Sequence, residues 1–149
     1  MPPRTGPLDR TELRRFLGDV RRLAKRVDVV VVMPHWGEQY TNRPWPVQEL
    51  VARKLADAGA DLVVTGEGAF DFSSRSGKVP YGVAEVAAHA LRPCVAVAGQ
   101  VLVGSREMRA LGVESAYSLV DLVGEERAFA DPAGSLAEVA ARVARTWSR

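Results

Sequence analysis

One stretch constrains the fold more than any other. Leu62-Val63-Val64-Thr65 reads as a buried strand. It runs into the polar, glycine-rich segment Gly66-Glu67-Gly68-Ala69-Phe70-Asp71-Phe72-Ser73-Ser74-Arg75-Ser76-Gly77-Lys78 and out through Val79-Pro80 into a helix. A short apolar run with no polar alternation is the mark of a parallel strand covered on both faces. Parallel strands need long crossovers, and helices supply them. Open sheets of this kind bind ligands beyond the carboxyl ends of their strands, so the segment after Thr65 stands where a site belongs.

The rest of the chain repeats the alternation. Asp9 predicts a helix cap, with Glu12 three residues on and Leu8 and Leu13 at staple spacing. Leu13, Phe16, Leu17, Val20, Leu23 and Ala24 recur at helical spacing and predict one buried stripe. Val27–Met33 predicts a central strand. Pro46 opens a second helix, with Val47, Leu50, Val51 and Leu55 on its apolar face and Gly59 at its end. Pro80–Leu91 predicts a third helix with Val83, Val86, Ala87 and Ala90 inward, and Cys94–Ala98 a third strand. Ser105 caps a short helix ended by Gly112, and Ala116–Leu119 is a weak fourth strand. Asp131 and Pro132 open a last helix striped by Leu136, Val139, Ala140, Val143 and Trp147. The expectation is an α/β fold: a three-layer parallel sheet of about four strands with helices on both faces. A length of 149 residues suits a single domain over 8–149 behind a flexible lead at 1–7.

Charge and cysteine usage narrow the function classes. The net charge is +2, and the basic excess lies mostly in the first helix, where a solvated face accounts for it. No basic stripe interleaves with aromatics, so nucleic acid is not an expected partner. The lone cysteine, Cys94, sits in an apolar run and reads as a buried thiol. Residues 1–18 hold no apolar leader core and no run is long enough to span a bilayer, so the expectation is a cytoplasmic chain without a membrane partner.

Within the glycine-rich segment, Glu67 and Asp71 can take a metal or a proton, and Lys78 and Arg75 can hold an anion. The spacing is not that of a P-loop, and Asp71 takes the place of the third glycine of a dinucleotide fingerprint. A tight strand-to-helix turn with a solvated polar skin accounts for the same residues equally well.

Residues from about 61 to 149 resemble the C-terminal part of bacterial type 1 glycerate kinases. The resemblance rests on V-T-G-E-G-x-F-D (Val64 to Asp71), S-G-K-V-P-Y-G-V-A (Ser76 to Ala84), V-A-G-Q (Val97 to Gln100) and the tail from Asp131 to Trp147. Ala69 and Ser73 stand where many members carry Arg and Gln. The resemblance implies ATP-dependent phosphorylation of glycerate with Mg²⁺. It places Gly66, Glu67, Gly68, Asp71 and Lys78 in the site. Their chemistry makes Asp71 and Lys78 the catalytic candidates, Glu67 and Asp71 the metal candidates, and Gly66, Glu67, Gly68, Ser76, Gly77, Gly99 and Gln100 the cofactor-binding candidates.

Residues from about 7 to 64 resemble a different family, the CapA-type poly-gamma-glutamate capsule proteins. Here the carrying pieces are D-V-V-V-V-M-P-H-W-G-E-Q-Y (Asp28 to Tyr40), P-x-P-V-Q (Pro44 to Gln48) and D-A-G-A-D-L-V-V (Asp57 to Val64). That family implies a metallophosphoesterase-like fold, with His35 in the metal-site region. The family's further histidines are missing, because Thr65-Gly66-Glu67-Gly68 follows Val64 and the one other histidine is His89. Zn and Mn sites take three or four ligands, so His35, Trp36 and Tyr40 are expected to cover the sheet edge or line a pocket. The two resemblances meet near 58–66, as in a chimera joined within a shared βαβ element. A non-catalytic α/β module, self-associating through apolar helix faces, is the alternative to a kinase-like fragment that binds glycerate or a small phosphate ligand.

Overall fold

The computed structural model of the chain describes residues 9–34, 45–76 and 78–148. Helix α1 (Arg10–Ala24) starts at Asp9, whose carboxylate accepts the Thr11 and Glu12 amides at 2.7 and 3.2 Å. Strand β1 (Val31–Val32), helix α2 (Pro46–Asp57) and strand β2 (Leu62–Phe70) follow. A 3-10 turn (Phe72–Ser76) leads into α3 (Val79–His89). Then come β3 (Cys94–Val101), α4 (Ser105–Ala110), β4 (Ser115–Ser118), α5 (Leu119–Val123), α6 (Glu125–Ala130) and α7 (Pro132–Trp147). The four strands are parallel and lie in the order β1-β2-β3-β4.

The order is sequential, so crossovers of one hand place α2, α3 and α4 on a single face. Side-chain alternation then divides the core in two. Val63, Cys94, Ala96 and Ala98 meet α2, α3 and α4 on the first face. Leu62, Val64 and Val95 meet Leu119, Val139 and Val143 on the second. The sheet is therefore covered by helices on both faces, the three-layer α/β architecture expected. Cys94 is 1 % exposed, and burial pushes its thiol up to about 12, as befits an inert core position.

Several local expectations need correction. Among the described residues the run Val27–Met33 pairs only through Val31 and Val32, with Leu62 and Val63, and β1 stands at the edge of the sheet rather than at its centre. The second-face helices reach β2 to β4, so Val31 is 45 % exposed and Met33 70 %. The α1 stripe is narrower than its spacing suggests: Leu17 and Val20 are buried, Phe16 and Leu23 are about half exposed, and Ala24 is exposed. Val47 and Leu50 of α2 and Leu136 and Ala140 of α7 also face outward. Gly104, not Ser105, occupies the cap of α4, and Ser105 is its first helical residue. The helices α5 and α6 were not visible in the pattern. The Leu8 staple, His35, Trp36 and Tyr40 lie outside the described residues.

Candidate functional site

The first part of the glycine-rich segment, Gly66 to Phe70, is strand rather than loop, and Phe72–Ser76 is the turn after it. The β2–β3 ladder runs on from Val63↔Cys94 to Phe70↔Val101, and Gly66, Glu67 and Gly68 all lie within it. The glycines explain how. A β-carbon on Gly66 would run into the Val97 carbonyl oxygen, and one on Gly99 would stand 2.6 Å from the Gly68 carbonyl oxygen. Both distances are far inside ordinary contact, so two glycines let the strand ends close up. Gly68 differs: a β-carbon there would meet nothing within 4 Å. The register sets Ala69 beside Gln100, which gathers Gly66, Glu67, Gly68, Gly99 and Gln100 at the carboxyl end of the two central strands.

Alternation carries Glu67 to the face of Val63, the face on which α3 lies. There it meets the turn between β2 and α3. Ser74 Oγ donates to Glu67 Oε1 at 2.6 Å, and Lys78 Nζ lies 3.7 Å from Glu67 Oε2. Asp71 opens the turn. Its Oδ1 accepts from the Ser73 amide at 2.8 Å and the Ser73 hydroxyl at 2.5 Å, and Lys78 Nζ stands 3.3 Å from the same oxygen. The Asp71 amide donates to Ser74 Oγ at 3.3 Å, and the Ser74 amide to the Asp71 carbonyl at 3.0 Å. Lys78 holds this position because it is the extended residue that caps α3, with Pro80 in the first helical turn.

The electrostatics of the two carboxylates differ. Burial raises the Glu67 carboxyl above its ordinary 4.5, against the opposing pull of the Ser74 hydroxyl and Lys78. The Ser73 hydroxyl bond holds Asp71 below its ordinary 3.8, with Lys78 adding to it. Two carboxylates share one ammonium, so the cluster carries a net negative charge when both are ionised. Such an edge suits a cation, a hydroxyl proton donor or a metal-charged phosphate better than a bare anion.

The structure thus brings Glu67, Asp71 and Lys78 together beside Gly66, Gly68, Gly99 and Gln100. Gly77 and the Ser76 side chain fall outside the described residues. Among the described residues no three His, Cys, Asp or Glu side chains gather as a metal cluster. Reading the residues one by one passed over Ser73 and Ser74. Their spacing from Asp71, two and three residues on, is the signal of an Asx-type turn and could have shown that both bond back to it.

Sequence comparison decides the family. The profile of the Glycerate kinase family matches residues 36–148. The chain belongs to the glycerate kinase family. A second profile, the bacterial capsule synthesis protein PGA_cap, matches residues 2–68 and overlaps the first over 36–68. Kinase likeness thus begins well before residue 61. A glycerate kinase of Halalkalibacterium halodurans is 36% identical over 93 residues, covering 60% of this chain and 24% of the kinase. The capsule biosynthesis protein CapA of Bacillus anthracis is 57% identical over 37 residues, 25% of this chain and 9% of CapA. An uncharacterised protein of Mycobacterium tuberculosis is 40% identical over 94 residues, 62% of this chain and 24% of the relative. The chain therefore spans about a quarter or less of the length of these curated relatives. No solved structure matches.

Proposed function

We propose that this glycerate kinase family chain carries part of a phosphotransfer site and binds Mg-ATP, or another small phosphate ligand, at the carboxyl edge of β2 and β3. The supporting observation is the convergence of Glu67, Asp71 and Lys78, with Lys78 Nζ 3.3 Å from Asp71 and 3.7 Å from Glu67, beside the open backbone of Gly68. Phosphoryl transfer needs little more from a protein than positioning and charge. In this reading Lys78 directs positive charge at a phosphate, and Asp71 serves either the metal or the proton of a glycerate hydroxyl. Gly66, Gly68, Gly99, Gln100, Ser76 and Gly77 border the nucleotide.

The donor set fits Mg²⁺, which takes one or two carboxylates and fills its remaining positions with water and phosphate oxygens. Glu67 and Asp71 would hold it, and its charge would offset that of the transferring group. The two family matches overlap over 36–68, and in this reading the segments join within that shared stretch, near 58–66. The parallel pairing of Val31 with Leu62 and Val32 with Val63 supports that junction. Among the described residues no helix is long and apolar enough to cross a membrane, and the cytoplasm is the proposed location.

A second reading follows from coverage. A chain spanning about a quarter of a kinase's length can bind without turning over substrate, as a module that pairs with a second copy through its exposed apolar helix faces. An amide-resolved NMR titration of the whole chain with Mg-ATP tests the common element. Shifts gathering at residues 66–78 and 99–100 support the site, and a folded spectrum without shifts removes it. Glycerate-dependent ADP release then separates kinase from binding module.

A further inference from the structure

We infer that Ser74 is a positioning residue, whose single hydroxyl fixes Glu67 and the Asp71 turn relative to one another and so sets the gap that Lys78 bridges. The inference rests on the phosphotransfer reading of the cluster. Ser74 is 0 % exposed. A hydroxyl offers one proton and two lone pairs, and here two of these are spent on different elements. The proton goes to Glu67 Oε1 at 2.6 Å, in the second half of strand β2. A lone pair takes the Asp71 amide at 3.3 Å, at the start of the 3-10 turn.

The geometry has a consequence for each partner. With Oε1 held by Ser74, the Glu67 carboxylate cannot rotate freely, and Oε2 is the oxygen that faces Lys78 at 3.7 Å. With its amide held, Asp71 keeps the backbone orientation from which Oδ1 reaches Lys78 at 3.3 Å. The Ser74 hydroxyl bonds to Glu67 and to the Asp71 amide, so its effect on the cluster passes through those two residues. A buried hydroxyl without such partners would cost free energy. An alanine in its place leaves a buried carboxylate oxygen and an amide short of a partner and lets the two elements drift apart. Displacements of about 1 Å are enough to cost large factors at a reacting centre.

A double-mutant cycle on the full chain tests this, read as Mg-ATP affinity by calorimetry. Ser74→Ala should weaken binding about tenfold in the presence of Glu67, the worth of one hydrogen bond to a charged group. In a Glu67→Ala chain the same change should cost at least about threefold less, because one of the two groups it acts through is gone and only the Asp71 amide remains. Equal losses in both backgrounds overturn the inference. Should Ser74→Ala not fold, Ser74→Cys keeps the volume with a weaker donor and is expected to show the same non-additivity.

A ligand-free readout separates this inference from the reading beneath it. Loss of the Ser74 acceptor should move the Asp71 amide proton upfield, speed its exchange and shift the Lys78 signals, while the amides of β4 and α7 stay in place. Unmoved Asp71 and Lys78 signals overturn the positioning role. A wild-type chain that takes no Mg-ATP sinks the phosphotransfer reading instead, and the spectra alone then decide Ser74.

Discussion

At Gly68 a β-carbon would meet open space, whereas at Gly66 and Gly99 it would strike the neighbouring strand's backbone. The three glycines therefore answer to different demands. Gly66→Ala and Gly99→Ala should each destabilise the chain by about 1–3 kcal/mol through overpacking, visible as a lower urea midpoint. Gly68→Ala should leave that midpoint nearly unchanged yet weaken Mg-ATP, because the added methyl lies where a ligand would approach. A normal affinity in folded Gly68→Ala would take Gly68 out of the site. Glu67 gives a second prediction at this scale. Burial raises its carboxyl above 4.5, so folding favours the protonated form. Its contribution to stability is greatest below 4.5 and declines as pH rises through the folded value. Asp71 has the opposite sign, since its lowered carboxyl contributes above 3.8 and loses that contribution as pH falls. Glu67→Gln isolates the first effect: the gain in melting temperature over wild type should grow between about pH 4 and pH 7. A gain independent of pH would mean that Glu67 is not held at a cost.

Among elements, the end of α2 is tied to the turn between α3 and β3 by Arg92. Its Nε donates to the Ala60 carbonyl at 2.5 Å and its Nη2 to the Ala56 carbonyl at 3.2 Å. Ala56 lies in the last turn of α2, where its carbonyl also accepts the Gly59 amide at 3.0 Å and the helix terminus attracts positive charge. Arg92→Ala should cost about 1–3 kcal/mol in denaturant unfolding, and Arg92→Lys should restore only part, because an ammonium cannot span both carbonyls. Strands and long helices were legible from apolar runs, caps and glycine stops, and Gly59 at φ 107 ends α2 as its sequence suggests. The helices α5 and α6 were not legible. They span five and six residues, too short for a periodic stripe. What fixes them is packing onto the second face of the sheet, by Leu119, Leu122 and Val123 of α5 and Ala128 of α6. The site was legible as a set of residue types, but the extension of β2 to Phe70 was not, because glycines usually announce a turn and here admit a close strand pair.

Across the whole molecule the packing is uneven, and stability should follow it. The strands β2 and β3 are covered on both faces, with Val95 and Phe70 fully buried. At the β1 end the ladder holds only Val31 and Val32, and α1 buries just Leu17 and Val20 along its length. Its attachment includes the close approach of Ala24 to Gly59, where a β-carbon would sit 2.6 Å from the Ala24 methyl. Regions with few buried apolar contacts open without the rest of the fold. Native-state hydrogen exchange should therefore show the α1 amides opening at a free energy about 2 kcal/mol or more below those of Val63 to Ala69. Asp61 argues that the opening stops at α1: it accepts the Val30 amide on its side chain at 2.9 Å and returns its own amide to the Val30 carbonyl at 2.9 Å. These paired bonds join the capsule-like strand to the first residues of β2, so the β1 amides should exchange with β2 rather than with α1. Exchange of β1 together with α1 would mean that these two elements form a folding unit of their own, separate from the rest of the sheet.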